Sequence, residues 1–380
     1  MSSTPGRAAP RALTAIVSVS ALLALAACGS ESTPAADADR AAAKDSPGLA
    51  AARAALEKFS KRPDRIPVDK PVGKKIPRGK EIDFILCGVQ SCKDLADFFT
   101  EAAKELGWKV KQIPTQGTPE SVQAAYEQAV RDQPDAVIAS GFPRAVYAKQ
   151  LAKLKAADIP VIQSNADDVV GDGIDLLKNG PKDVGIQGEM IASWLVSDAI
   201  GKADTVYFDL PAYTILKPVK DTFADKYKEW CDGCPLDTVD VPITAVGKDM
   251  PDRVVSYLRS HPKVTHVVFS LGLLNVGVPA ALKTAGINGK HILVNVGDAQ
   301  NYQYIASGLT EGAMSLNSHE LAWIQADALA RHFTGQSMAV DQEAVLPNML
   351  VTRDNLPSVD GDFPIVEDYQ AQFKALWGLS

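Results

Sequence analysis

The sequence predicts an α/β protein of two Rossmann-like lobes with parallel sheets and a ligand cleft between them. From Lys80 onward, short apolar runs alternate with segments of helical length, and that alternation occurs twice over stretches of similar size. The chain is also long enough for more than one domain: its 380 residues are 46% hydrophobic, sufficient for a buried core without covalent staples.

The first unit opens with a buried strand over 82–87, then a helix over 93–106 closed by Gly107 at its C-cap. A strand over 108–113, a helix over 119–131 with Pro119 in its first turn, and a strand over 136–139 follow. A helix over 145–157 and the apolar run 159–162 complete it. The second unit reads helix 184–200, strand 205–208, helix 215–230, strand 239–243, helix 251–259 and strand 264–269. It continues with helix 275–285 ending at Gly286, strand 292–296, strand 313–316 and a long helix over 321–333. Such βα alternation implies parallel sheets covered on both faces, with ligands at the carboxyl ends of the strands.

The N-terminus sets the compartment. Arg7 and Arg11 precede an apolar stretch over 12–26, too short to span a bilayer and shaped as a secretory signal core. It ends in Leu25-Ala26-Ala27-Cys28-Gly29, which resembles a bacterial lipobox with Cys28 as the lipidated residue. Two or more acyl chains on one residue give stable anchoring. The expected location is therefore the extracytoplasmic face of the cell membrane, which excludes a cytoplasmic repressor and disfavours ATP-driven or nicotinamide chemistry. Residues 28–78, poor in large apolar side chains at first and punctuated by Pro63, Pro67, Pro71 and Pro77, read as a lipidated tether with a short helix over 49–59. The net charge of -7, from 39 basic and 46 acidic residues, offers no basic face for nucleic acid.

Six short pieces carry a resemblance. They are Glu105-Leu106-Gly107-Trp108, Gln133-Pro134-Asp135-Ala136-Val137-Ile138 and Asp158-Ile159-Pro160-Val161-Ile162, then His261-Pro262-Lys263-Val264, Ala281-Leu282-Lys283-Thr284-Ala285-Gly286 and Val296-Gly297-Asp298. In this order they resemble the type I periplasmic binding proteins, the ribose- and galactose-binding-like solute receptors of ABC importers, over about 80–352. The resemblance implies three crossovers between the lobes, near Gly180, Ser318 and Pro347. It divides the chain into a signal peptide (1–27), a tether (28–78), an N-terminal lobe (79–180 with 318–347) and a C-terminal lobe (181–317 with 348–380).

It also implies contacts. Asp298 matches the family's ligand-binding Asp, Asn317 an amide at the late crossover, and Asn165 a polar position after the fourth strand. Lys217 lies near a second-lobe Arg, and Gln90, Ser91 and Cys92 stand where stacking aromatics are expected. Ala166 replaces an Arg and Gly272-Leu273 an Asn-Asp pair, which points to a ligand less polar or differently charged than a simple sugar. Phe142, Trp194, Tyr213, Tyr302 and Tyr304 are candidate new walls, and His319 a further contact beside Asn317.

Four cysteines remain after Cys28. Outside the cytoplasm their even count favours disulfides, Cys87 with Cys92 and Cys231 with Cys234. The spacings also resemble halves of a zinc site, and Cys231-Asp232-Gly233-Cys234 has the form of a redox CxxC. The histidines His261, His266, His291, His319 and His332 show no metal-site spacing, and Asp167, Asp168 and Asp172 read as solvated loop acids. The expectation is a monomer without metal or cofactor that binds a small solute by hinge closure and delivers it to an ABC permease. A sensor presenting its ligand to a membrane receptor is the alternative, as is a non-sugar solute such as a nucleoside or aromatic compound. An enzyme is a distant third reading.

Overall fold

The computed structural model describes residues 46–379, so Cys28 and the signal segment lie outside the described residues. In the first lobe, strands β1 (Glu81–Ile85), β2 (Lys109–Ile113), β3 (Ala136–Ser140), β4 (Val161–Ser164) and β5 (Leu176–Lys178) form one parallel sheet in the order β2-β1-β3-β4-β5. In the second, β6 (Thr205–Asp209), β7 (Leu236–Asp240), β8 (His266–Phe269), β9 (His291–Val294), β10 (Gly312–Met314) and β11 (Leu350–Thr352) run β11-β10-β9-β8-β6-β7. Only β11 is antiparallel. Both β5 and β11 went unread in the sequence; each has three residues, too few to show a period.

The helices are α1 (Pro47–Ser60), α2 (Gln90–Leu106), α3 (Pro119–Asp132), α4 (Ala148–Ala156), α5 (Pro181–Asp198) and α6 (Leu216–Trp230). The chain continues through α7 (Met250–Ser260), α8 (Val278–Thr284), α9 (Ala299–Ala306), α10 (Ser318–Phe333), α11 (Ala339–Glu343) and α12 (Tyr369–Trp377). The expected helix over 275–285 is shorter, because Gly277 at φ 80° interrupts it and Pro279 sits in the first turn of α8. The expected strand over 239–243 lies three residues earlier, ending before Pro242. Each sheet is covered on both faces. In the first lobe α2, α10 and α12 pack on one face and α3 and α4 on the other. In the second lobe α7, α8 and α9 cover one face, and α1, α5 and α6 the other. The α5–α6 contact is close because Gly188 presents no side chain: a Cβ there would lie 2.3 Å from Val219 O.

The three expected crossovers carry the chain between lobes. The first runs from β5 in one sheet to α5 on the other, and the second from β10 to α10, which packs on α2. The third runs from α11 to β11.

Two further crossings correct the expected division of the chain. The sequence reading assigns the tail wholly to the C-terminal lobe, yet Phe363 and Ile365 pack in the second lobe's core while Val366, Tyr369, Phe373 and Trp377 pack in the first lobe's. The described part of the tether is likewise no spacer. Ser46 caps α1, its side chain accepting from Leu49 N at 3.1 Å, and Leu49, Ala52 and Phe59 are buried against α5 and α6. Ile66, Val68 and Val72 then enter the first lobe's core. Tail and strap are stitched together by Arg62 Nε to Ile365 O (3.0 Å), Ile66 N to Gln372 Oε1 (3.0 Å) and Val72 N to Leu376 O (2.9 Å). The prolines keep the strap extended, and its apolar residues, spaced singly, still find a core.

Candidate functional site

The carboxyl ends of both sheets bring together residues distant in sequence. Asn165 follows β4 and Asn179 follows β5; both hold left-handed backbones, at φ 51° and 50°, a conformation Asn tolerates better than most residues. Asn165 Nδ2 donates to Ser140 Oγ at 3.0 Å. Asn179 Nδ2 donates to Asn165 Oδ1 (3.1 Å) and to Asn317 Oδ1 (3.0 Å), and Asn317 Nδ2 donates to Pro347 O (3.3 Å). One chain of amides thus joins β3 and β4 to all three expected crossovers. Asn165 and Asn317 are thus joined through Asn179, a residue the sequence reading does not name. Beside them Lys178 is fully buried, its ammonium donating to Ala344 O and lying 3.8 Å from Asp183 Oδ2; burial pulls its pKa down.

In the second lobe the pairings Phe208↔Phe269 and Phe269↔Val294 put the next residues, Asp209, Ser270 and Asn295, in one row across β6, β8 and β9. All three are buried. Lys220 pairs with Asp209 Oδ2. Asp209 Oδ1, Ser270 Oγ and both amide atoms of Asn295 have no hydrogen-bond partner among the described residues. Buried polar atoms are rarely left so, because each forgoes its solvation without replacement. These residues were not named from the sequence: each closes a hydrophobic strand, and nothing local shows that three such ends align.

The other expected contacts are placed variously. Asp298 caps α9, its Oδ1 accepting from Asn301 N (3.0 Å) and Asn301 Nδ2 (2.8 Å), and the residue is exposed. Gln90 and Ser91 are exposed in the first turn of α2, with Gln90 Nε2 donating to Asp94 Oδ1 at 2.7 Å. Phe142 is half-buried against the first lobe's core. Lys217 is exposed and pairs with Asp221, which together with the charge of Asp167 raises its pKa. His319 stacks on Phe98 with centroids 3.7 Å apart and its Nδ1 lies 3.1 Å from Tyr369 Oη; burial pushes its pKa down to about 4. Of the candidate aromatic walls, Trp194 and Tyr302 are buried in helix packing and Tyr213 is exposed. Asp168 and Asp172 pair with Arg144, at 2.9 and 3.3 Å, and so hold their loop. A surface groove of about 750 Å³ beside α3, lined by Pro114, Gln116, Ser121 and Gln128 among others, includes none of these residues.

The cysteines form two local disulfides, Cys87–Cys92 and Cys231–Cys234, with Cα atoms 5.7 and 5.5 Å apart. The first ties the loop after β1 to the first turn of α2. No helix among the described residues is long and apolar enough to cross a membrane.

A family model described as a periplasmic binding protein domain matches residues 91–337. The chain belongs to this family. Its members bind solutes rather than convert them, and the two-lobed fold of this periplasmic binding protein recurs in solved structures. An ABC sugar transporter subunit from Rhodobacter sphaeroides is 17% identical, with 73% of this chain and 99% of that one covered and a TM-score of 0.62. A 5-methylthioribose transporter solute-binding protein from Thermotoga lettingae, in complex with 5-methylthioribose, is also 17% identical, covering 82% and 100% at a TM-score of 0.63. A periplasmic ribose ABC transporter protein from Conexibacter woesei is 15% identical, covering 75% and 95% at 0.64. Among curated protein sequences, none matches this periplasmic binding protein.

Proposed function

We propose that this protein is an extracytoplasmic lipoprotein, anchored through Cys28, that captures a small sugar or sugar-like solute between its lobes and presents it to an ABC permease. The observation that carries the reading is the row Asp209, Ser270 and Asn295, whose buried polar atoms lack partners at the carboxyl ends of adjacent strands. A polyhydroxylated solute supplies hydroxyls that donate to the carboxylate and both donate to and accept from the amide. Similarity to binding proteins solved with allitol and with 5-methylthioribose supports that solute class. Asp298, with one carboxylate oxygen committed to the cap, has the other to offer. Hinge closure about the crossovers would bury the solute, and the amide chain through Asn179 is positioned to coordinate them.

The test begins with a thermal-shift panel of pentoses, hexoses, polyols, nucleosides and aromatic compounds, then calorimetry on whichever compound raises the melting temperature. Ser270→Ala isolates binding from folding. Its hydroxyl has no partner among the described residues, so its removal should leave the apo melting temperature unchanged or slightly higher. Loss of a contact to the solute should weaken affinity about three- to tenfold, or about 0.5–1.5 kcal/mol. Unchanged affinity would remove Ser270 and its row from the site.

A further inference from the structure

A second concentration of chemistry lies at the opposite end of the second lobe's sheet. His266 and His291 are the first residues of β8 and β9, and parallel pairing sets them side by side with their rings stacked 4.9 Å apart. Asp198, the last residue of α5, reaches both: its Oδ2 is 3.0 Å from His266 Nε2 and 3.0 Å from His291 Nδ1. Glu311 Oε1, just ahead of β10, is 3.7 Å from His291 Nδ1. One donor atom from each of Asp198, His266 and His291 lies within 4.8 Å of the others. We propose that these three residues form a site for a divalent transition-metal ion of the zinc class, with Glu311 or water as the fourth ligand.

The geometry and the donor set both support this. Ligands at about 2.0–2.1 Å in a tetrahedral zinc site stand roughly 3.3 Å from one another, so the two carboxylate-to-imidazole separations of 3.0 Å need only small adjustments. Two imidazoles with carboxylate oxygens suit zinc, nickel or copper, whereas calcium and magnesium take oxygen alone. His266 also has an orienting partner of the kind metal-bound histidines use. Thr265 Oγ1 lies 2.8 Å from His266 Nδ1 and is itself held by Asp204, accepting from its N and donating to its O, each at 3.2 Å. Thr265 thus holds the His266 ring with Nε2 facing the Asp198 carboxylate, where a bound cation would be shared between the two.

The side chains of Asp198 and His291 are 32% and 43% exposed, which gives an ion a way in, while His266 is buried beside Trp194. This end of the sheet is opposite the carboxyl ends that border the solute site, so the ion would not touch solute. Its effect would be to clasp the end of α5, the helix that starts at the first crossover, onto the sheet. The sequence conceals the site because Asp198 lies 68 residues from His266 and the ligands share no local spacing.

Untagged mature protein, freed of metal by a chelator, should bind one equivalent of Zn²⁺ by calorimetry and develop the visible absorption of four-coordinate Co²⁺, with Ca²⁺ inert. Asp198→Asn and His291→Ala alter partly exposed side chains; both should keep the wild-type circular dichroism spectrum yet bind Zn²⁺ at least about tenfold more weakly. Binding of neither Zn²⁺ nor Co²⁺ by the wild type would overturn the assignment, and so would wild-type affinity in both variants.

Discussion

Glu320 stands in the first turn of α10, fully buried, with Oε1 accepting from Val366 N at 2.8 Å and Oε2 without a partner among the described residues. Burial pushes its carboxyl up from 4.5 to about 7. The folded state therefore favours the protonated acid. Its contribution to stability is complete below about pH 4.5 and is lost as pH rises through about 7. Glu320→Gln keeps the acceptor for Val366 and cannot ionise. Melting curves at pH 5 and pH 8 should show the wild type losing stability across that window, and the variant losing less, by on the order of 2–3 kcal/mol. Asp362, raised to about 7 by the same cause, would leave a residual slope. None of this is visible from the sequence, where Glu320 is one acid at a helix start; its environment comes from the tail that crosses over it.

At the scale of elements, α1 differs most from its expected role. Its pattern of Leu49, Ala52, Leu56 and Phe59 marks one apolar face, but a short helix in a polar stretch does not reveal what that face covers. The covering surface is α5 and α6, and Gly48 permits it: a Cβ there would lie 2.3 Å from Trp230 O. Leu49→Ala should therefore destabilise the second lobe by about 2–4 kcal/mol, read as a lower urea midpoint at unchanged slope. A helix loose in a tether would give no change, so a silent variant would refute the docking of α1. The buried strands, by contrast, are legible, since a parallel sheet covered on both faces demands continuous apolar runs, whereas the edge strand β7, with Asp237, Thr238 and Asp240 exposed, lies three residues from its expected place. The short β5 and β11 owe their pairing to neighbours rather than to composition.

Among the described residues the chain passes between the lobes five times: at three crossovers, in the strap through 61–66 and in the tail through 365–366. The last two run side by side and share hydrogen bonds. The chain enters the described fold on the second lobe, at Ser46. If Cys28 carries the lipid, Cys28→Ala expressed in the native host should leave the membrane fraction and appear soluble, with its melting temperature unchanged because the fold from Ser46 onward is intact. Retention in the membrane fraction would place the anchor elsewhere.

The sequence by itself determined the α/β class and the two lobes, which rest on local periodicity that a linear reading captures, and it favoured pairing of the cysteines close in the chain. The three crossovers follow from the family resemblance rather than from periodicity. Only the tertiary structure decided which polar residues meet. The amide chain from Asn165 to Pro347, the row Asp209, Ser270 and Asn295, and the cluster of Asp198, His266 and His291 each join residues from separate strands and helices. Their proximity is set by strand order and register, and those follow from how the apolar faces pack rather than from the polar residues themselves.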